Sequence, residues 1–311
     1  MRVVNNNVLL QRYGLQSFKG LRSVSVRMQG LRNLFGGYDL GIFQECDAAQ
    51  ADLLAKSNYK VINSGINSIL WNPKTLTLRS VDVDQLYARD DRRVIFATFY
   101  EGFMAICTHL SVKNSVGSES AAVAARKRQA QAIALKIQDV KFPVVLGADL
   151  NSSPARTKGF PRTILRDTGK LTPLREAAKV ANSEFNSSHK MKLHPDKKGV
   201  WIDDLMSKGF SVLDASLVQT YPYSDHNALT CTFQTADLIP FNVSRGVNGH
   251  IVKYLQEALN ILGADLDVDG AFGPKTEKAV KSFQGKNNIE IDGVVTKNTW
   301  KVLKARNSQQ T

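Results

Sequence analysis

The chain has 311 residues, 43% hydrophobic and 22% charged, which excludes a disordered polymer and suggests a large domain joined to a small one. A formal charge of +13 favours polyanionic partners such as nucleic acid, teichoic acid or an anionic membrane surface. Cys46, Cys107 and Cys231 are widely spaced within apolar runs and form no CxxC pair, which argues for buried thiols and against a structural zinc site.

Val3, Val4, Val8, Leu9 and Leu10 predict an opening strand. Leu21, Val24, Met28, Leu31 and Leu34 recur at helical spacing, and Gly36-Gly37 ends that helix before the apolar run from Leu40 to Phe43. Strand-like runs follow at SILW, TLTL, RRVIFATFY and FMAICTHL, with turn signals at Asn72-Pro73 and Glu101-Gly102. The stretch AAVAARKRQAQAIALKIQDV predicts an amphipathic helix with Arg126, Lys127 and Arg128 on its exposed side, where Arg126 and Arg128 are candidate phosphate contacts.

FPVVLGADLNSSP then reads as a buried strand ending in Asp149 and Asn151, which alternate and therefore share a face. Residues 152–199 are polar, basic and poorly periodic, predicting long loops around one or two short helices. ALTCTF, residues 228–233, predicts the last strand of the large domain. Regular patterning lapses over 236–249 and a new helical pattern starts at Ile251, so the expected organisation is a domain over 1–235, a linker over 236–249, a small domain over 250–306 and a tail over 307–311. Strands interleaved with helices make the first part α/β, and only short helices follow. No stretch reaches transmembrane length, and MRVVNNNVLLQRYG lacks the pattern of a secretory signal, so the expectation is synthesis in the cytoplasm without membrane insertion.

Polar residues close several of the apolar runs: an asparagine in NNNVLL, Glu45 in LGIFQECD, His109 in FMAICTHL, Asp149 and Asn151 in GADLNS, Asp203 and Asp204 in VWIDDLM, and Asp225-His226 before ALTCTF. Singly, each could cap a helix or close a turn. In this order, Asn7, Gln44-Glu45, Thr108-His109, Gly147-x-Asp149-x-Asn151, Ile202-Asp203 and Ser224-Asp225-His226 resemble the endonuclease/exonuclease/phosphatase superfamily, which includes pancreatic deoxyribonuclease, over residues 1–235.

The resemblance implies a four-layer α/β/β/α sandwich of two packed mixed sheets, with a divalent-metal phosphodiesterase site at one end. It implies metal-site roles for Asn7, Glu45 and Asp225, and catalytic roles for His109, Asp149, Asn151, Asp203 and His226. Glu45 would be the principal ligand, Asp149 and Asn151 would position the attacking water and the phosphate, and Asp203 would orient His226. The all-oxygen ligand set suits Mg²⁺, with Mn²⁺ or Ca²⁺ as alternatives. Asn7 is preferred to Asn5 because Val8 resumes the apolar run, and no carboxylate partner for His109 is evident between Gly65 and Trp71.

In the small domain, an Asp-Gly turn followed by a Thr-started helix occurs twice, with Gly270 and Gly293 separated by 23 residues. Asp265, Asp267, Asp269 and Gly270 match the start of a calcium loop, but Thr276 stands where that loop needs a bidentate Glu. Leu255-Gln256, Leu262-Gly263, Asp269 to Thr276, Ala279 to Gln284, Asp292 to Trp300 and Leu303 are similar to the peptidoglycan-binding domain of cell-wall hydrolases, which implies a three-helix wall-anchoring module.

The net charge is +10 for residues 1–240 and +3 thereafter, which favours nucleic acid bound mainly through phosphates. The expected protein is a weakly sequence-selective DNA endonuclease held at the bacterial wall, phage-encoded and reaching the wall by lysis or within a virion. Cleavage of wall teichoic acid and a catalytically silent binding module are the alternatives.

Overall fold

The computed structural model describes residues 1–10, 22–86, 92–112, 116–152, 160–174, 202–220, 222–235 and 238–310. Most of the stretch expected to form long loops, 152–199, lies outside the described residues. The chain divides into two compact units. One comprises Met1–Asn72, Val81–Ala97 and Met104–Thr235, and the other Pro73–Ser80, Thr98–Phe103 and Ala236–Thr311.

The first unit holds two six-stranded sheets. β1 (Arg2–Asn7), β2 (Leu40–Gln44), β3 (Lys60–Ser64), β4 (Asn67–Trp71), β11 (Val212–Val218) and β12 (Ala228–Phe233) form one in the order β11-β12-β1-β2-β4-β3. β5 (Leu78–Gln85), β6 (Arg93–Phe99), β7 (Phe103–His109), β8 (Val144–Asp149), β9 (Thr172–Pro173) and β10 (Asp203–Lys208) form the other in the order β5-β6-β7-β8-β10-β9. Both are mixed: β1 runs parallel to β2 and β7 parallel to β8, whereas β12 and β10 are antiparallel to their neighbours.

Helices cover the outer faces. Met28, Leu31 and Phe35 of α1 (Val24–Phe35) and Ala51, Leu54 and Ala55 of α2 (Ala48–Ala55) pack on Val4, Phe43, Leu70 and Ala228. Ala130, Ile133 and Ile137 of α3 (Glu119–Ile137) and Leu165 of α4 (Phe160–Asp167) pack on Val94, Ile106, Val144, Leu146 and Met206. Each fully buried aliphatic side chain contributes about 1.5–3 kcal/mol, so these two clusters hold the layers together. The expected four-layer sandwich is the observed fold.

Local sequence sets the element ends. Asp47 caps α2 by accepting from the Gln50 amide at 2.9 Å, and Ser118 caps α3 by accepting from Ala121 at 3.1 Å. Gly36 and Gly37 end α1 at φ 23° and 70°, as their pairing predicts. The expected strand at TLTL instead starts at Leu78 and runs to Gln85. β5 is an edge strand with mostly exposed residues, and its short Val81/Val83 alternation with Asp82 and Asp84 is not matched by burial.

Because Val144, Leu146 and Ala148 face the helices, Gly147 and Asp149 face the opposite sheet. A Cβ at Gly147 would lie 2.4 Å from Asn5 Oδ1 and 2.7 Å from Ile42 Cγ2. The sheets can therefore approach this closely only over a glycine.

In the second unit, α5 (His250–Ile261), α6 (Pro274–Lys286) and α7 (Lys297–Asn307) enclose Val252, Leu255, Leu259, Phe272, Val280, Phe283, Trp300 and Leu303. The sequence repeat is a repeated hydrogen-bond cage. Gln256 Oε1 accepts from Gly270 N at 2.9 Å, and its Nε2 donates to Asp269 at 2.8 Å and to Ala271 O at 3.2 Å. Gln284 makes the same set with Gly293 at 2.9 Å, Asp292 at 2.8 Å and Val294 O at 3.0 Å. Both glycines sit at φ 78°, where a side chain would be strained. Among the described residues, no helix is long and apolar enough to cross a membrane.

Candidate active site

Asn7 ends β1, Gln44 ends β2 opposite it, His109 and Asp149 are register partners at the ends of β7 and β8, and Asp203 faces Asp149 across β10. The two sheets thus deliver these residues to one end of the sandwich, and the 224–226 segment enters just before β12.

Asp149 is the node. Asn7 Nδ2 donates to its Oδ2 at 3.0 Å, the Asn151 amide donates to its Oδ1 at 2.9 Å, and His109 Nε2 lies 3.4 Å from Oδ2. The carboxylate partner of His109 is therefore Asp149 itself, which is why none shows between Gly65 and Trp71. Asn7 Nδ2 also reaches Glu45 Oε1 at 3.3 Å. Glu45 Oε2 accepts from Leu10 N at 3.2 Å, and Asn7 Oδ1 accepts from Leu9 N at 3.1 Å.

His226 Nδ1 pairs with Asp203 Oδ2 at 2.8 Å, which fixes the orientation of the imidazole. Asp149, Asp203 and His226 offer ligand atoms within 4.8 Å of one another, a group that could hold a metal ion. Asp225 Oδ1 and His109 Nδ1 are buried and have no hydrogen-bond partner among the described residues. Orphaned buried polar atoms at a strand-end cluster suit a site completed by an ion or ligand.

Burial, followed by the nearby Asp203, raises the Asp149 pKa to about 7, against the lowering effect of His226, Asn151 and Asn7. Burial alone would lower the His226 pKa, but Asp203, Asp225 and Asp149 outweigh it and hold the ring well above the usual range. Burial, with Arg92 and His226, drives His109 well below it. The cluster therefore contains a poised carboxyl, an imidazolium and a neutral imidazole near pH 7. Glu45 and Asn151 both adopt positive φ, 50° and 48°, and Leu9 does so at 60°, so backbone strain is concentrated at this end of the sandwich.

The three consecutive asparagines divide the work. Asn5 donates to Asp204 O at 3.2 Å and accepts from Gln44 at 2.9 Å, Asn6 donates to His226 O at 3.1 Å, and Asn7 holds Glu45 and Asp149. Asn7 was expected to be a metal-site amide: its Nδ2 braces the Glu45 and Asp149 carboxylates, and its Oδ1 accepts from Leu9 N–H with one lone pair.

Arg126 is corrected as an exposed phosphate contact: it is 2% exposed, donates to Ser111 O at 3.1 Å and pairs with Glu119 at 2.6 Å. Counted from Ser118, position 126 falls on the buried stripe with Ala122, Gln129, Ala130 and Ile133, while Lys127 and Arg128 are exposed. Asp204 turns to the outer face and pairs with Arg162. Sequence reasoning included Ser224 in the motif but gave it no role; its Oγ donates to Asn7 O at 2.6 Å and accepts from His226 N at 3.1 Å. Its position two residues before His226 was the available signal.

Residues 248–303 match the family described as "Putative peptidoglycan binding domain". A protein of Kitasatospora aureofaciens, described as "Uncharacterized protein in bpoA1 3'region", is 44% identical over 71 residues, which cover 22% of this chain and 60% of that protein, less than two thirds of its length. D. rerio TDP2, solved with a single-strand DNA product, aligns at TM-score 0.58 and 17% identity over 75% of this chain and 98% of its own. An endonuclease/exonuclease/phosphatase from Bacteroides vulgatus aligns at TM-score 0.60 and 16% identity over 75% and 98%. The chain therefore joins the endonuclease/exonuclease/phosphatase fold to a C-terminal segment of the peptidoglycan-binding domain family.

Proposed function

We propose that the large unit is a divalent-metal-dependent phosphodiesterase that cleaves DNA internally with weak sequence selectivity, and that the small unit holds it at the bacterial cell wall. The observation that carries this reading is the Asp149 node, a buried carboxyl poised near neutrality beside an Asp203–His226 pair and two further carboxylates. The DNA product bound by D. rerio TDP2 and the +10 charge of residues 1–240 support nucleic acid as the polymer.

Glu45 and Asp225 would hold the cation, with Mg²⁺ preferred for their hard oxygens, and Asn7 would fix Glu45 for it. When bound, the cation would supply positive charge against the phosphate oxygens. Asp149 takes the proton of the attacking water as the new P–O bond forms and the ester P–O bond breaks. His226, held as imidazolium by Asp203, donates to a phosphate oxygen as charge builds there. The leaving oxygen takes its proton from solvent. His109, kept neutral, orients Asp149 and is no proton donor to the leaving group. Asn151 keeps Asp149 in place through its backbone N–H while its side chain donates to Leu110 O at 2.9 Å.

The match of 248–303 to a wall-binding family favours one further substrate, the phosphodiester chain of wall teichoic acid. Incubation with supercoiled plasmid in Mg²⁺, with and without chelator, alongside Glu45→Gln and His226→Ala, tests the proposal. Chelator-sensitive nicking lost in both variants supports the nuclease. Release of phosphodiester units from purified wall polymer without nicking selects teichoic acid, and failure to bind Mg²⁺ would leave the large unit a silent module.

A further inference from the structure

The turn that follows β1 is held from two sides. On the site side, Leu9 N and Leu10 N donate to Asn7 Oδ1 at 3.1 Å and Glu45 Oε2 at 3.2 Å. On the helix side, the same turn presents its carbonyls to Arg27 of α1. Arg27 Nη2 donates to Val8 O and, at 2.6 Å, to Leu9 O, while Gln50 Nε2 donates to Leu9 O at 3.0 Å. Arg27 Nε donates in another direction, to Tyr223 O at 2.8 Å, immediately before Ser224, Asp225 and His226.

One guanidinium therefore joins the two chain segments that carry Asn7 and Asp225-His226, which are far apart in sequence. It is 1% exposed, and no carboxylate accepts from it in these contacts; all three acceptors are main-chain oxygens. A buried cation is costly unless it is paired. The opposing charges that act on Arg27 are those of Asp225 and Glu45, one on each of the two segments it joins. The approach of α1 is close at this level: a Cβ at Gly30, one turn later, would lie 2.3 Å from the Tyr223 ring.

We propose that Arg27 is a positioning residue for the reaction: its planar fork sets the spacing between the Asn7–Glu45 side and the Asp225–His226 side, and so presents both carboxylates to one cation. This rests on the metal-dependent reading of the site. A lysine retains the charge but, as a single point donor, cannot reproduce the fork that reaches the carbonyls of both segments. Partners behind metal ligands typically contribute about 10–100-fold in metal affinity or activity.

The test measures Mn²⁺ and Mg²⁺ binding by calorimetry on full-length Arg27→Met and Arg27→Lys, together with plasmid-nicking kcat and KM, and melting in chelator. Metal affinity and kcat are expected to fall about tenfold or more in Arg27→Met with KM little changed, and Arg27→Lys to recover only part of the loss. A folded Arg27→Met, or a folded Arg27→Lys if the former does not fold, that binds metal and turns over within twofold of wild type while only its melting temperature falls would overturn the proposal. Wild-type protein that binds metal without nicking plasmid would count against the nuclease reading, and the calorimetry would still decide the role of Arg27.

Discussion

Asn7, at the end of β1 in one sheet, donates to Asp149, at the end of β8 in the other, at 3.0 Å. This single amide joins the two halves of the sandwich at the site. Replacing it by Asp would put a carboxylate against Asp149 and Glu45 in a place that is fully buried. Asn7→Asp is expected to lower kcat by about 10²-fold or more near pH 7, since the loss of a positioned hydrogen bond at a reacting centre has that scale. Asn7→Ser should lose less. Plasmid-nicking rates and thermal melts of both variants check this, and equal losses in the two would mean that charge repulsion is not the cause.

Asp149 carries its cost in the fold. Burial and Asp203 raise its pKa to about 7, so the folded state prefers the protonated carboxyl. The associated stability is fully present below the unfolded pKa near 4, and it is lost as pH rises through about 7. Asp149→Asn removes that loss. In chelator, the variant is expected to melt above wild type at pH 8, by an amount on the order of a few kcal/mol, and to converge with it at pH 4. A constant difference across this range would show that Asp149 does not titrate between those limits.

The same groups predict a bell-shaped rate profile. The rate should rise as Asp149 ionises near pH 7 and fall at higher pH as His226 loses its proton. Asp203→Asn removes the largest influence holding the His226 proton, so its descending limb should move to lower pH. Measurement of kcat/KM against pH in wild type and Asp203→Asn checks the assignment. An unchanged descending limb would exclude His226 as its source.

How much of this was legible depended on burial. The central strands β1, β7, β8 and β12 announce themselves by apolar runs, and their polar ends stand out for the same reason: Asp149 after Val144, Val145 and Leu146 has no structural economy. The edge strands β3, β5 and β11 are mostly half-buried or exposed, so no continuous apolar run marks them, and they escaped or were misplaced. Side-chain direction within a helix was harder still. Arg126 and Arg128 differ by two positions on α3, yet one is sealed against Ser111 and Glu119 and the other is exposed. Contacts such as Arg27 to Tyr223 depend on long-range topology, which no local pattern encodes.

Gly147 gives a prediction about the sandwich itself. A methyl group there meets Asn5 Oδ1 at 2.4 Å and Ile42 at 2.7 Å, both in the interior between the sheets. Gly147→Ala is expected to destabilise the large unit by about 1–3 kcal/mol through overpacking. Because Asn5 also accepts from Gln44, the shift should disturb the Asn7 end of β1 and reduce nicking below the unfolding temperature. Denaturant melts paired with rates at low temperature check both effects, and wild-type stability would mean that the sheets can separate at little cost.

In the small unit the two glutamine cages supply the last prediction. Gln284 donates to Asp292 and Val294 O and accepts from Gly293 N, and each of these groups would lose a partner in Gln284→Ala. Gln284 is buried at 1% exposure, so water does not readily replace it. Gly293 is buried, and leaving its N–H unsatisfied costs about 1–3 kcal/mol, whereas the exposed Asp292 still accepts from Val294 N, so the Asp292-Gly293 turn should loosen and the unit lose stability. Gln256→Ala should do the same at Asp269-Gly270, because that cage is built from the same contacts. Each variant is expected to reduce co-sedimentation with purified peptidoglycan while leaving plasmid nicking in solution unchanged. Undiminished wall binding with a melted second unit would instead place wall affinity in the large unit, where the basic charge is concentrated.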